Sequence, residues 1–174
     1  CYAISDAAEL YGFAAIVNGT DGYAKEKAAC GKLTKDIVVN ENVLNSDGSL
    51  NKVLAAGFMQ WNPLDSFAGI FDGNMHTISG LYVQENPLQD FSGKGMGFVG
   101  STYGSKKVPT VVKNIGIVNS YFLSNFADVG AIVGNCLRSG ELYVYSYTEI
   151  KNSYSTSTVI SNYANVGGVV GSVK

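Results

Sequence analysis

The sequence predicts an all-β chain, a parallel β-helix (solenoid) with an N-terminal α-helical cap. Three observations carry this reading. First, charged residues make up only 15% of the 174 residues while hydrophobic residues make up 46%. An average soluble protein is about 25% charged. Second, Gly, Ser and Asn number 21, 17 and 15, a turn-rich composition that argues against a helical bundle. Third, the second half repeats itself. Ser124-Asn125-Phe126-Ala127-Asp128-Val129-Gly130 aligns with Ser161-Asn162-Tyr163-Ala164-Asn165-Val166-Gly167 at an offset of 37, and the match runs on to Gly134 and Gly171. Lys113-Asn114 and Lys151-Asn152 stand upstream at an offset of 38. Gly97-Phe98-Val99-Gly100 is a third copy of the Gly-apolar-apolar-Gly end, 34 residues earlier. Similarity at a fixed period of about 20 to 50 residues signals stacked units.

Residues 1–35 form the expected helical cap, and 36–174 the repeats, as one continuous domain. The helix is expected over residues 5–18. Ser5 can cap its first turn, Asp6 and Glu9 suit the positive end of the macrodipole, and Asn18-Gly19 is a stop signal. Between them the residues are apolar on almost every side, which suits a lid over an open β core. Asp36-Ile37-Val38-Val39-Asn40 reads as a short strand, and Asn45-Ser46-Asp47-Gly48 as a turn. Residues 55–66 look like an irregular excursion. Asp72-Gly73-Asn74 is a turn, followed by strand material at His76–Ser79 and Leu81–Val83. The later repeats hold β-branched runs of three or four residues between Gly, Asn and Ser. Asn at a corner tolerates left-handed backbone and can bond the coils above and below. An antiparallel sandwich is the rival, and the period of 34 to 38 favours the solenoid.

Three cysteines leave one thiol over. A Cys1–Cys30 bridge would tie the N-terminal element down, closing a loop of about 30 residues worth ~3 kcal/mol on chain-entropy grounds. Three buried thiols are the alternative. Cys1 also suits the lipidated start of a bacterial lipoprotein, or simply the start of a module cut from a longer chain. The formal net charge is −2 and the only adjacent basic pair is Lys106-Lys107. That argues against a nucleic-acid partner. No apolar run approaches the ~18 residues of a membrane span.

A family likeness appears at particular residues. Phe67-Ala68-Gly69-Ile70-Phe71-Asp72-Gly73-Asn74-Met75-His76-Thr77-Ile78-Ser79-Gly80-Leu81 resembles a segment of bacterial surface β-helices. Gly-Phe-Val-Gly and Val-Gly-Gly-Val-Val-Gly, with Lys-Asn-Ile-Gly-Ile-Val-Asn-Ser between, resemble GLUG-motif repeats. Those repeats occur in adhesin-like proteins and in non-catalytic regions of IgA-specific metallopeptidases. The likeness covers roughly residues 67–174. It implies a secreted or cell-surface right-handed β-helix and transfers no catalytic residue. The His-Glu-x-x-His zinc motif is absent, and His76 is the only histidine.

Candidate chemistry is sparse. No partner motif for His76 is visible, so no catalytic residue is assigned. Asp65, Asp72 and Asp90 fall in loops of one region and would serve a lyase only if folding gathered them. No EF-hand or metal-ligand spacing occurs, so neither metal nor cofactor is expected. Trp61 could stack on a sugar ring from its loop, or anchor that loop to the core. Tyr143, Tyr145 and Tyr147 alternate along an insertion at 135–149 and would share one face of a strand. They suit glycan or protein contact, or a ladder folded against the solenoid's flank. Thr156-Ser157-Thr158 occurs once, too little for an ice-binding array.

The expected function is non-enzymatic: an extracellular or bacterial cell-surface, adhesin-like module displaying loops to a glycan or protein. Self-association through an open β-helix end is a further possibility. The alternatives are a β-helix polysaccharide lyase or hydrolase, and a ligand-free spacer.

Overall fold

The computed structural model describes residues 1–84, 95–137 and 147–173. The short β-branched runs stack as coils, and the chain is a β-solenoid of about three turns with parallel sheets. It opens with β1 (Tyr2–Ile4) and α1 (Ala7–Asn18). An incomplete coil follows with β2 (Cys30–Leu33) and β3 (Ile37–Val38). The lower full coil holds β4 (Ile70–Asp72), β5 (Thr77–Ser79), β6 (Tyr82–Gln84), β7 (Gly95–Met96) and β8 (Val99–Thr102). The middle coil holds β9 (Thr110–Lys113), β10 (Gly116–Ser124), β11 (Asp128–Gly130) and β12 (Val133–Cys136). The top coil holds β13 (Thr148–Lys151), β14 (Tyr154–Ser161), β15 (Val166–Gly167) and β16 (Val170–Val173).

Equivalent strands pair in four stacks: β1-β2-β4-β9-β13, β3-β5-β10-β14 with β6 also on β10, β7-β11-β15, and β8-β12-β16. Every ladder between named strands is parallel, which removes the sandwich. The repeat offsets are the ladder registers: Lys113 opposes Lys151, Val129 opposes Val166, and Val99 opposes Val133. The step from 38 to 37 falls inside β10, where the register against β14 shifts between Val118 and Tyr121. Asn119 sits there with φ +46, a bulge that absorbs one extra residue.

The corners follow the same chemistry. Asn114 and Asn152 take φ of +54 and +47, the left-handed region that asparagine tolerates. Asn152 Nδ2 donates to Asn114 Oδ1 at 3.0 Å, and Asn114 Nδ2 to Asp72 Oδ1 at 3.0 Å. One polar column thus ties three coils together. Inside, Phe71, Ile78, Val99, Val112, Ile117, Phe122, Val129 and Val133 are all buried.

The cap is a single short helix. Its N-cap is Asp6, whose side chain accepts from Glu9 N, rather than Ser5. Ser5 instead donates its N–H and hydroxyl to Glu9 Oε2. Gly19 ends the helix at φ +70, its N–H on Ala15 O. Leu10, Phe13, Ala14 and Val17 form the buried stripe. Phe13 meets Phe71 edge-on at 5.6 Å. Gly31 lies beneath the two rings, where a Cβ would come within 2.9 Å of Phe13 Cζ. Cys1 and Cys30 form a disulfide, and Cys136 is a buried thiol. The sheet reaches back past the expected boundary at residue 35, because β2 pairs with β4.

The excursion is more regular than its sequence. Gln60, Leu64 and Phe67 make single parallel bridges to Tyr82, Val99 and Thr102, so residues 60–67 complete an irregular rung. Ahead of them, Val43, Leu44, Leu50 and Phe58 pack with Tyr82 and Tyr121 in a second hydrophobic cluster. Thr158 Oγ1 donates to Gly48 O and Leu44 N to Asn119 Oδ1, which docks this segment on β10 and β14.

Candidate functional site

Trp61 is not a sugar platform. It is 2% exposed. Its indole stacks on Phe98 at 5.6 Å and meets Tyr11 edge-on at 5.3 Å, and Nε1 donates to Phe98 O. The bridge from Gln60 to Tyr82 aims the next residue, Trp61, inward. Burial also pushes the Tyr11 hydroxyl up to about 12, and that hydroxyl donates to Gln60 O. Trp61 therefore anchors α1 to the lower coil.

Tyr147 is exposed at the start of β13. Its N–H donates to Gly104 O and its carbonyl accepts from Thr110 N. Tyr143 and Tyr145 lie outside the described residues. The insertion is shorter than 135–149, since Asn135 and Cys136 belong to β12 and Thr148 and Glu149 to β13.

The acids are dispersed. Asp65 accepts from Ser101 and lies 4.0 Å from Lys25. Asp72 accepts from Asn114 and pairs with Lys113 at 3.3 Å. Asp90 lies outside the described residues. His76 Nδ1 is 3.4 Å from Asp36 Oδ1, an oxygen that also accepts from Thr77 N. That backbone donor, with help from His76, holds the Asp36 carboxyl below its ordinary range. Among the described residues no three His, Cys, Asp or Glu side chains come close enough to share a metal ion.

Among the described residues, the most exposed aromatics are ones that the sequence reading passed over. Phe126 and Tyr163 are 59% and 78% exposed and stack on each other, centroids 5.3 Å apart and planes 16° from parallel. Their turn is built residue by residue. Ser124 Oγ accepts from Phe126 N and Ala127 N, folding the chain back. Ser161 Oγ accepts from Ala164 N one coil higher and donates to Ala127 O. Asn162 Nδ2 donates to Asn125 Oδ1 at 2.7 Å, and Tyr163 N to Asn125 O at 2.9 Å. Ala127 points into the core, fully buried. The aromatic between a corner Asn and an inward Ala has only outside space. The signal was present: Ser-Asn-aromatic-Ala recurs at an offset of 37.

This arrangement offers the outer faces and edges of a two-ring stack on a hydrogen-bonded turn. It suits partners with a flat apolar face of their own, such as a pyranose ring or an aromatic side chain. No protein-family model, curated protein or solved structure matches the chain.

Proposed function

We propose that the chain is a non-enzymatic, adhesin-like contact module, a right-handed parallel β-helix of the GLUG-repeat kind that works outside the cell or at a bacterial surface. The observation that carries this reading is the Phe126–Tyr163 stack: two large, more than half-exposed rings on a hydrogen-bonded turn. Exposed aromatic area held in place without ordering cost favours binding over folding. Tyr147 offers a further exposed ring just before β13, beside the run in which the sequence reading names Tyr143 and Tyr145 as contact candidates. A right-handed coil agrees with the hand that parallel crossover connections prefer. The Cys1–Cys30 disulfide suits an oxidising compartment. No described helix is long and apolar enough to cross a membrane.

The test is a screen of the chain against polysaccharides, glycans and extracellular proteins, with and without Ca²⁺, following both binding and chain cleavage. Binding without cleavage is the expected result. Cleavage would replace this reading with the lyase or hydrolase alternative. Silence in both would leave the spacer.

A further inference from the structure

A second surface feature has different chemistry. A groove of about 370 Å³ runs along the corner where β4 turns into β5 and where the coils above make the equivalent turn. Its lining includes Met75 from the lower coil, Asn114 and Gly116 from the middle coil, and Asn152, Ser153 and Tyr154 from the top coil. The volume lies within the range of small-molecule sites.

The groove is built by specific residues. The Tyr154 ring lies against Gly116, where a Cβ would come within 2.6 Å of Tyr154 Cζ. Glycine at 116 therefore seats that ring. Asn152 Nδ2 is committed to Asn114 Oδ1 at 3.0 Å and to Met75 Sδ at 3.3 Å. Among the described residues, Asn152 Oδ1 and the Tyr154 hydroxyl have no hydrogen-bond partner. Met75 itself breaks a local rule. Asn74 and Met75 take φ of +50 and +69 in a turn closed by His76 N on Gly73 O at 2.8 Å. Such a turn favours Asn-Gly, and methionine there costs ~1 kcal/mol. Its side chain is exposed and lines the groove.

We infer that this groove holds one ring of a neutral saccharide. A pyranose offers an apolar C–H face for Tyr154 and hydroxyl groups for Asn152 Oδ1 and the Tyr154 hydroxyl, while the Ser153 hydroxyl is held by Lys151 O and Ile115 N. The Met75 thioether supplies a polarisable, adaptable contact. Among the described residues none lining the groove is charged, so none of them compensates a sialyl or uronate carboxylate. This inference rests on the reading of the chain as a contact module but names a site apart from the Phe126–Tyr163 stack.

The test uses the whole chain with methyl glycosides of neutral hexoses and N-acetylhexosamines, followed by saturation-transfer NMR. The methyl glycosides of sialic and glucuronic acid are the charged comparison. Neutral glycosides bind, and charged ones bind at least about 10-fold more weakly. Tyr154→Ala weakens binding by about 10-fold and Met75→Gly by about 3-fold. Met75→Gly melts no lower than the wild type, so its loss of binding is not a loss of fold. Equal binding of charged glycosides, indifference to both substitutions, or no glycoside binding overturns the inference. Neutral glycosides that respond only to Phe126→Ala/Tyr163→Ala, or a protein captured through that pair without glycoside binding, overturn the groove and leave the contact module standing. Silence of glycosides, glycans and proteins alike overturns both.

Discussion

The lowest and topmost described coils are built from the same kind of repeat but differ in what covers them. At the lower end, α1 lies over the core, and a chain of rings runs Tyr11–Trp61–Phe98–Phe71–Phe13 from the helix down into the coil and back. The disulfide fastens β1 beside β2. At the top coil, among the described residues, nothing of this kind covers the inward residues. Val129 is fully buried while Val166, its partner one coil higher, is 48% exposed. Ile132 is fully buried while Val169 is 37% exposed. The repeat sequence is nearly the same in both coils, so burial here is a property of the neighbour rather than of the residue. That is the nearest-neighbour logic of repeat proteins.

Substitutions at the helix-covered side should break this contrast most. Trp61→Ala removes the ring linking α1 to the lower coil and one of the two donors to Phe98 O, and should cost about 3 to 5 kcal/mol in denaturant unfolding. Replacing Cys1 and Cys30 together by Ser should cost about 3 to 4 kcal/mol on chain-entropy grounds. Its melting point should then match that of the reduced wild type. The matched pair sharpens the comparison. Val129→Ala should cost about 2 kcal/mol and Val166→Ala less than about 1. Equal losses would mean that the top coil is covered in solution.

Smaller effects should appear at the corners. Met75→Gly should stabilise by about 0.5 to 1 kcal/mol by relieving a left-handed methionine, read as a rise in melting temperature. At Asp72, burial pushes the carboxyl up, but the Asn114 amide, the Asn74 N–H and Lys113 outweigh it and hold it below the ordinary aspartate range. A depressed folded value gives stability that is present above the unfolded value and lost as pH falls through the folded one. The wild type should therefore lose stability below about pH 4 more steeply than Asp72→Asn, as followed by acid titration of the melting point.

What could be read from the sequence was whatever repeats. The offsets of 37, 38 and 34 became registers, and Asn114 and Asn152 became a corner ladder because like residues stack on like. Gly19 and the Cys1–Cys30 pair were legible because their causes are local. Trp61 was ambiguous because its rung has no repeat partner in the sequence. Three isolated bridges, from Gln60, Leu64 and Phe67, decide which way it points. The cover of Val43, Leu44 and Phe58 over Tyr82 and Tyr121 was hidden for the same reason. The outward stack of Phe126 on Tyr163 was missed for another. A large aromatic in a β-rich repeat reads as core until its neighbours, Asn125 in the ladder and Ala127 inside, are seen to leave it only the outside.

The contact surface is the central claim, and one double variant tests it. Phe126→Ala/Tyr163→Ala should lose binding to a screened partner whose binding survives Tyr154→Ala, and shift the melting temperature by less than about 2 °C, because both rings stand outside the core. Unchanged binding, or a collapse of the melting temperature, would contradict the account and return these rings to a structural role.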